Sequence, residues 1–109
     1  HVDDVCDIIH KQILNFTKIK NETFNIGGGV KNSISLIDLT KVCENITGTK
    51  IKLDKIKTTS IYDIPYYVTD NSKIRKFYNW EPKRNVHQIL IDIFNWIKSN
   101  QKEISKYIQ

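Results

Sequence analysis

The chain has 109 residues, enough for one domain of modest size with a single core. Hydrophobic residues make up 39% of the sequence and charged residues 27%, as in a folded globular protein rather than a disordered tail. No apolar run is long enough to cross a bilayer, and the net charge of +5 is spread along the chain with only two arginines, which argues against a membrane protein and against a nucleic-acid binder.

Cysteine and histidine usage argues against a metal site. Cys6 and Cys43 each fall on the apolar stripe of a predicted helix, which is typical of small buried thiols. Two cysteines form neither a disulfide framework nor a metal-binding quartet, and this usage favours a cytoplasmic location. The three histidines, His1, His10 and His87, have no second ligand at metal-binding spacing. Met is absent, so we expect a processed chain or part of a longer one.

The first predicted element is a helix over residues 4–16, with Asp3 as its N-cap. Its apolar residues recur at helical spacing and predict one buried face, made of Val5, Cys6, Ile9, Ile13 and Phe16. After a polar connector, Thr23 to Ile26 form a predicted short strand that runs into three glycines, Gly27 to Gly29.

The second helix has the clearest start signal in the chain. Ser35 is its predicted N-cap, with Asp38 three residues on as in a capping box, and Gly48 supplies a left-handed residue at its end. Its predicted buried stripe is Leu36, Leu39, Val42, Cys43 and Ile46. Residues 50–57 then alternate apolar and polar as in a half-buried strand. Strand, helix and strand at this spacing predict a right-handed βαβ crossover.

Two further helices are predicted. A short one follows Asp70, its predicted cap, with Ile74 and Phe77 facing inward, and it ends at Asn79 because Asn tolerates the left-handed conformation. The last helix has Asn85 as its predicted N-cap, with Gln88 three residues on as in a second capping box. Its predicted stripe is Ile89, Leu90, Ile93, Trp96 and Ile97, and we expect helicity to weaken over residues 99–101 and to resume over 104–108.

The glycine run invites a phosphate-binding interpretation, but the spacing argues against it. A dinucleotide fingerprint needs a third glycine three residues after the second, and position 32 is Asn. The next helix also begins too late, at Ser35, to direct its dipole at a phosphate in that loop. A tight turn at a strand end, with backbone passing close to another part of the chain, is favoured over direct cofactor contact.

The loop containing Tyr62 and Asp63 is the one stretch with binding character, because loops on a rigid scaffold often carry function. The alternative from the residues alone is a surface loop with one packed tyrosine. No nucleophile and base can be paired by spacing, so the residues by themselves indicate no catalytic constellation.

Four segments keep one order along the chain. They are His1-Val2-Asp3-Asp4-Val5, Phe24-Asn25-Ile26-Gly27-Gly28-Gly29, Tyr66-Tyr67-Val68-Thr69-Asp70-Asn71-Ser72-Lys73 and Asn79-Trp80-Glu81-Pro82. Together, at these separations, they resemble the C-terminal part of the extended short-chain dehydrogenase/reductases that act as NAD-dependent nucleotide-sugar epimerases and dehydratases. The resemblance runs from His1 to about Ile97. It implies an α/β fold class, as the helix-rich C-terminal part of an extended Rossmann-type epimerase with a small parallel βαβ unit flanked by helices.

The resemblance also implies a division of the chain and a set of partners. Residues 1–29 would be the last helix and strand associated with a dinucleotide domain that this chain lacks, and residues 30–109 the substrate-binding region. In the family that domain carries the glycine fingerprint and the Tyr-x-x-x-Lys pair, so we expect no catalytic, NAD-binding or metal-binding residue here. The intact parent would use NAD and a nucleotide-diphosphate sugar.

Within the family, Asp63-Ile64-Pro65 and the Tyr-Tyr segment are most similar to CDP-paratose (CDP-tyvelose) 2-epimerases. Relatives commonly carry an Arg that grips the diphosphate, then any residue, then Gly-Asp. Aligning on Asp63 places Ser60 at the Arg and Tyr62 at the Gly, and a serine cannot supply the paired bonds of a guanidinium. The resemblance therefore implies a substrate-binding set of Ser60, Tyr62 and Asp63, in a parent that either holds its nucleotide differently or has lost activity.

Helices that evolved to cover an absent sheet would expose apolar faces to water. We therefore expect this chain to self-associate, as a homo-oligomer, through those faces. A non-enzymatic binding or oligomerisation module that kept the family shape is the second hypothesis for its function.

Overall fold

The computed structural model describes residues 1–17, 21–54 and 60–108. These residues form five α-helices and one 3₁₀ turn: α1 Val2–Leu14, the turn Val30–Asn32, α2 Leu36–Thr47, α3 Ser72–Tyr78, α4 Val86–Ser99 and α5 Gln101–Ile104. The chain divides into two compact units, unit 1 with His1–Ser33 and Ile64–Asn85 and unit 2 with Ile34–Asp63 and Val86–Gln109. The predicted helix-rich character is confirmed.

The predicted βαβ unit is not seen in the described residues, where no segment is paired as a strand. A strand needs a neighbour to satisfy its backbone groups, and here side chains satisfy several of them instead. The carbonyl of Thr23 accepts from Lys73 Nζ at 2.9 Å, and the amide of Ile51 donates to Glu44 Oε1 at 2.8 Å. Residues 55–57 of the second predicted strand lie outside the described ranges.

Unit 1 has a small core where α1 packs against α3. Its buried side chains are Ile8, Ile74, Tyr78 and Trp80. Ile74 and Tyr78 are one helical turn apart and face α1, so the inward placement of Ile74 is confirmed. The inward placement of Phe77 is wrong, because its ring is partly exposed and meets the edge of the core through Phe24, at a centroid distance of 5.4 Å.

The start of α1 differs from the prediction. The helix begins at Val2, and the N-cap is His1, whose Nδ1 accepts from the backbone N–H of Asp3 at 3.1 Å. Asp3 is therefore not the cap. The side chains buried on this helix are Asp4 and Ile8.

The face of α1 that was predicted to be buried is exposed to solvent. Val5, Ile9, Ile13 and Phe16 are 38% to 69% exposed, and Cys6 is exposed as well. Periodicity identified an apolar stripe correctly, but the helix turns its other side, with Asp4 and Ile8, towards α3.

Unit 2 is built on the packing of α2 against α4. The capping box is confirmed, because Ser35 Oγ accepts from the Asp38 amide at 3.1 Å, and Gly48 ends the helix at φ 71°. The buried stripe of α2 is only half-buried, and Leu36 is exposed.

The C-terminal helices also differ from the predicted pattern. In α4 the half-buried face is Ile89, Leu90, Ile91 and Phe94, whereas Ile93, Trp96 and Ile97 of the predicted stripe are exposed. The predicted break in helicity is confirmed at Asn100, but α5 resumes at Gln101 and ends at Ile104, so it lies before the predicted range.

Candidate functional site

Unit 1 contains a groove of about 480 Å³. One wall is the glycine loop and the 3₁₀ turn, residues 28–32. The other wall is Tyr66 with residues 68–72, and Arg75, Glu81 and Pro82 complete the lining. The volume is within the range of small-molecule sites in proteins.

The glycine wall is held against the segment that precedes α3. A Cβ on Gly27 would lie 2.4 Å from Thr69 Oγ1, so no other residue fits there without movement. The carbonyl of Gly27 accepts from Asn71 Nδ2 at 2.7 Å. Gly29 has a φ of 65°, which L-residues rarely adopt. The predicted close approach of this backbone is confirmed, with the segment before α3 as its neighbour, but the described residues before the glycines form no strand.

The second wall is organised around the start of α3. Asp70 Oδ1 accepts from the backbone N–H of Ser72 at 2.8 Å and from its hydroxyl. The Ser72 hydroxyl and then its amide hold the pKa of Asp70 below the usual value of 3.8, so this carboxylate is ionised at neutral pH. Asp70 is therefore not the N-cap, which is Asn71, one residue later than predicted, although Asp70 still binds the first amide of the helix.

A surface ion pair closes the groove at its far end. Arg75 Nε lies 2.7 Å from Glu81 Oε1. The helix carrying Arg75 ends at Asn79, whose φ of 46° confirms the predicted left-handed turn, and that turn brings Glu81 back beside α3. Together with Lys31 and Asp70, this pair gives the lining two positive and two negative side chains, so its net charge is zero.

A separate charge network fastens the segment after α3 to α1. Arg84 Nη1 and backbone N donate to the two oxygens of Asp4 at 2.9 Å and 3.2 Å. Asp4 is only 3% exposed, and burial alone would raise the pKa of its carboxyl. The hydrogen bonds from the Arg84 and Lys83 amides and from the Arg84 side chain outweigh burial and lower the pKa. Arg84 Nη2 also lies 2.8 Å from Asp3 Oδ2, so this network is structural: Arg84 is shared between two carboxylates of α1.

The site residues taken from the sequence lie elsewhere. Ser60, Tyr62 and Asp63 belong to unit 2, where they form a turn: the amide of Tyr62 donates to Ser60 Oγ at 3.2 Å and the amide of Asp63 to Ser60 O at 3.1 Å. Tyr62 is 88% exposed, so the packed-tyrosine alternative is wrong. The turn brings the three residues together, and none of them lines the groove of unit 1.

Sequence reasoning missed the groove. It treated the glycine loop and Asp70 as separate local features, although both line the groove. The sequence does not indicate that residues 28–32 and 66–82 are neighbours, because these segments meet only through tertiary contacts.

The glycine loop does not have the geometry of a dinucleotide-binding loop. The carbonyl of Gly27 and the space beside it are used by Asn71 and Thr69, and a Cβ on Gly28 would lie 2.9 Å from Asn32 Cβ. The loop leads into a 3₁₀ turn rather than an α-helix, and α2 begins only at Leu36. A pyrophosphate would thus find no aligned helix amides at this loop.

Two other classes of site were searched over the described parts of the chain. There, no group of three or more His, Cys, Asp or Glu side chains is placed to hold a metal ion. None of the helices formed by those residues has the length and apolar content needed to span a membrane.

Comparison with proteins of known function relates this chain to nucleotide-sugar epimerases, over their C-terminal portion. It is 27% identical over 99 residues to the CDP-paratose 2-epimerase of Salmonella typhi, covering 91% of this chain and 29% of that protein. It is 32% identical over 94 residues to the UDP-glucuronate 4-epimerase of Thermodesulfobacterium geofontis, covering 86% of this chain and 28% of that protein. It is 28% identical over 103 residues to UDP-glucose 4-epimerase 2 of Arabidopsis thaliana, covering 92% of this chain and 28% of that protein.

The resemblance described from the four segments is thereby confirmed. The chain spans less than a third of the length of the curated relatives it matches. No family model and no solved structure matches it.

Proposed function

We propose that this chain is the C-terminal, substrate-side portion of an NAD-dependent nucleotide-sugar epimerase or dehydratase, catalytically incomplete alone. The observation that carries the proposal is the match itself: between 84% and 92% of this chain aligns with epimerases, yet it spans only 28% to 29% of each. In this proposal the rest of the enzyme holds NAD, because the glycine run of this chain lacks the spacing of a dinucleotide fingerprint.

The proposed substrate contacts are Ser60, Tyr62 and Asp63. The turn they form leaves the Tyr62 ring exposed and available to a base or sugar. The Ser60 hydroxyl already accepts from the Tyr62 amide, so it braces the turn rather than replacing the diphosphate-binding Arg of relatives. Binding would then rest on Tyr62 and Asp63, with the diphosphate held by other parts of the parent.

We further propose that residues 1–29 associate with the dinucleotide domain and residues 30–109 with the substrate, in a cytoplasmic enzyme. The identity of the sugar, the base and the reaction within the family is a property of the whole parent enzyme. A Tyr-x-x-x-Lys pair in the residues immediately upstream of His1 in the parent gene would support the enzyme class, and its absence there would contradict it.

Saturation-transfer NMR on the full chain with a CDP-sugar and a UDP-sugar tests the substrate proposal. We expect transfer to the nucleotide sugar that weakens about fivefold or more in Asp63→Asn, since a hydrogen bond from a sugar or ribose hydroxyl to a charged group is lost. Asp54→Asn is the matched control, because Asp54 is also an exposed carboxylate of unit 2. Equal binding by the two variants would sink the assignment of Asp63.

A non-enzymatic oligomerisation module is the second candidate. It is favoured by the Ser at position 60 and by the exposed apolar stripe on α1. Nucleotide-sugar binding separates the two candidates, because only the first requires it.

A further inference from the structure

We infer that the groove of unit 1 is a binding site for a neutral, polyhydroxylated ligand such as a single sugar ring, distinct from the substrate turn at residues 60–63. The inference does not depend on the proposed enzyme. It rests on three properties of the groove: its charge balance, the mixture of polar groups and apolar surface in its lining, and the rigidity of its walls.

The charge balance excludes a strongly anionic ligand as the best fit. Lys31 and Arg75 face the same groove as Asp70 and Glu81, so the four charges cancel although the whole chain carries +5. A free phosphate needs a surplus of donors with positive charge. A hydroxyl can donate to a carboxylate and accept from a cation, and it therefore suits a lining that offers both.

The lining combines these groups with apolar surface. The carboxylates of Asp70 and Glu81 are acceptors, and Arg75 and Lys31 are donors, while Val30, Val68 and Pro82 supply apolar surface beside the ring of Tyr66. Sites for small molecules generally combine an apolar and aromatic lining with a few placed polar groups. Sugar rings are also partly polar and partly apolar, with hydroxyls at the rim and apolar C–H faces.

The walls are held in place before any ligand arrives. Asn71 Nδ2 donates to Gly27 O at 2.7 Å, and Asn32 Nδ2 donates to Gly28 O at 3.2 Å. Fixed walls reduce the ordering cost of binding. Asn71 is 7% exposed, so its side chain holds the wall from inside the protein.

The test is a ¹H–¹⁵N NMR titration of the full chain with methyl β-glucopyranoside, inorganic phosphate and glycine in parallel. We expect the neutral glycoside to bind in the millimolar range, as is usual for a ligand of about a dozen heavy atoms, and to shift the amides of Gly28, Gly29 and Ser72. Phosphate and the zwitterion glycine should shift these amides less at equal concentration.

Variants make the inference specific to the groove. Glu81→Gln should weaken glycoside binding about fivefold, because one charged acceptor becomes a neutral amide, and Tyr66→Ala should weaken it similarly by removing the aromatic face. Glu103→Gln is the matched control, since Glu103 is also an exposed, ion-paired glutamate, bonded to Lys106 at 2.8 Å in unit 2. The dispersion of each spectrum reports whether the variant is folded.

Three results would overturn the inference: no shift of the groove amides up to about 50 mM glycoside, tighter binding of phosphate or glycine, or equal glycoside binding by Glu81→Gln and Glu103→Gln. Asp63→Asn should leave glycoside binding unchanged. Loss of nucleotide-sugar binding in that variant with retained glycoside binding would separate the two sites, so the failure of one proposal is distinguishable from the failure of the other.

Discussion

Asp4 and Arg84 stand 80 positions apart in the chain, yet their side chains meet at 2.9 Å in unit 1. The backbone amide of Arg84 donates to the second carboxylate oxygen of Asp4, so the carboxylate holds both the side chain and the main chain of this turn. Lys83, the preceding residue, pairs with Asp7 one turn further along α1. The two contacts join the segment after α3 to the first helix of the chain.

Removing the Asp4 charge should therefore destabilise the protein. Asp4→Asn removes a charge that is buried against Arg84, while Arg84 keeps its second pair with Asp3 Oδ2 at 2.8 Å. We expect a loss of about 2 kcal/mol in the free energy of unfolding at pH 7, measured by urea denaturation. Asp54→Asn, at an exposed position, should change it by less than about 0.5 kcal/mol.

The same pair predicts a pH dependence. The pKa of Asp4 in the folded protein lies below its ordinary value of 3.8, so its contribution is fully present above pH 3.8 and is lost as the pH falls through the folded pKa. We expect the stability difference between wild type and Asp4→Asn to be constant from pH 7 to about pH 5 and to shrink below about pH 4. A difference that stays the same at pH 2 to 3 would show that the Asp4 charge is not the cause.

The glycine loop gives a prediction about packing. Gly27→Ala would place a Cβ 2.4 Å from Thr69 Oγ1 and 2.7 Å from Thr69 Cβ, so the loop must move, at a cost of about 1 to 3 kcal/mol in thermal or urea unfolding. Gly48→Asn is the control, because Gly48 has open space around its Cβ position and Asn tolerates its positive φ. If Gly27→Ala cost no more than the control, the close approach to Thr69 would be wrong.

The small core of unit 1 predicts an unequal response to truncation. Ile74 is fully buried between α3 and α1, and Ile74→Ala should cost about 2 to 5 kcal/mol of unfolding free energy, from lost burial and the cavity left behind. Ile61→Ala removes the same atoms from a side chain that is 90% exposed, and we expect a change within about 0.5 kcal/mol. Similar losses at the two positions would contradict the core assigned here.

The exposed stripe on α1 predicts self-association. Val2, Val5, Ile9, Ile13 and Phe16 all present apolar surface to solvent along the helix. We expect the sedimentation coefficient of the chain to rise with protein concentration, and the rise to be smaller in the double variant Ile9→Gln, Ile13→Gln than in Ile61→Gln. A compact monomer at high micromolar concentration would refute self-association.

Helix caps and left-handed turn residues were predictable, because they depend only on residues that are neighbours in sequence. The cap at Ser35 with Asp38 and the left-handed residues Gly48 and Asn79 are confirmed, because each needs only one turn of chain. The relation to nucleotide-sugar epimerases could be predicted for a similar reason, since the order of these short segments along the chain is what the relatives share.

What depends on distant contacts was not predictable. The sequence by itself determined that α1 is amphipathic, but the tertiary structure decided which side is buried: Asp4 pairs with Arg84 and Ile8 joins the core, so the apolar stripe faces water. The expected strands lack partners within the described residues, and the groove exists only because the glycine loop meets the start of α3. Periodicity states that a helix has an apolar face, whereas the element against which it packs is set by contacts between residues far apart in the chain.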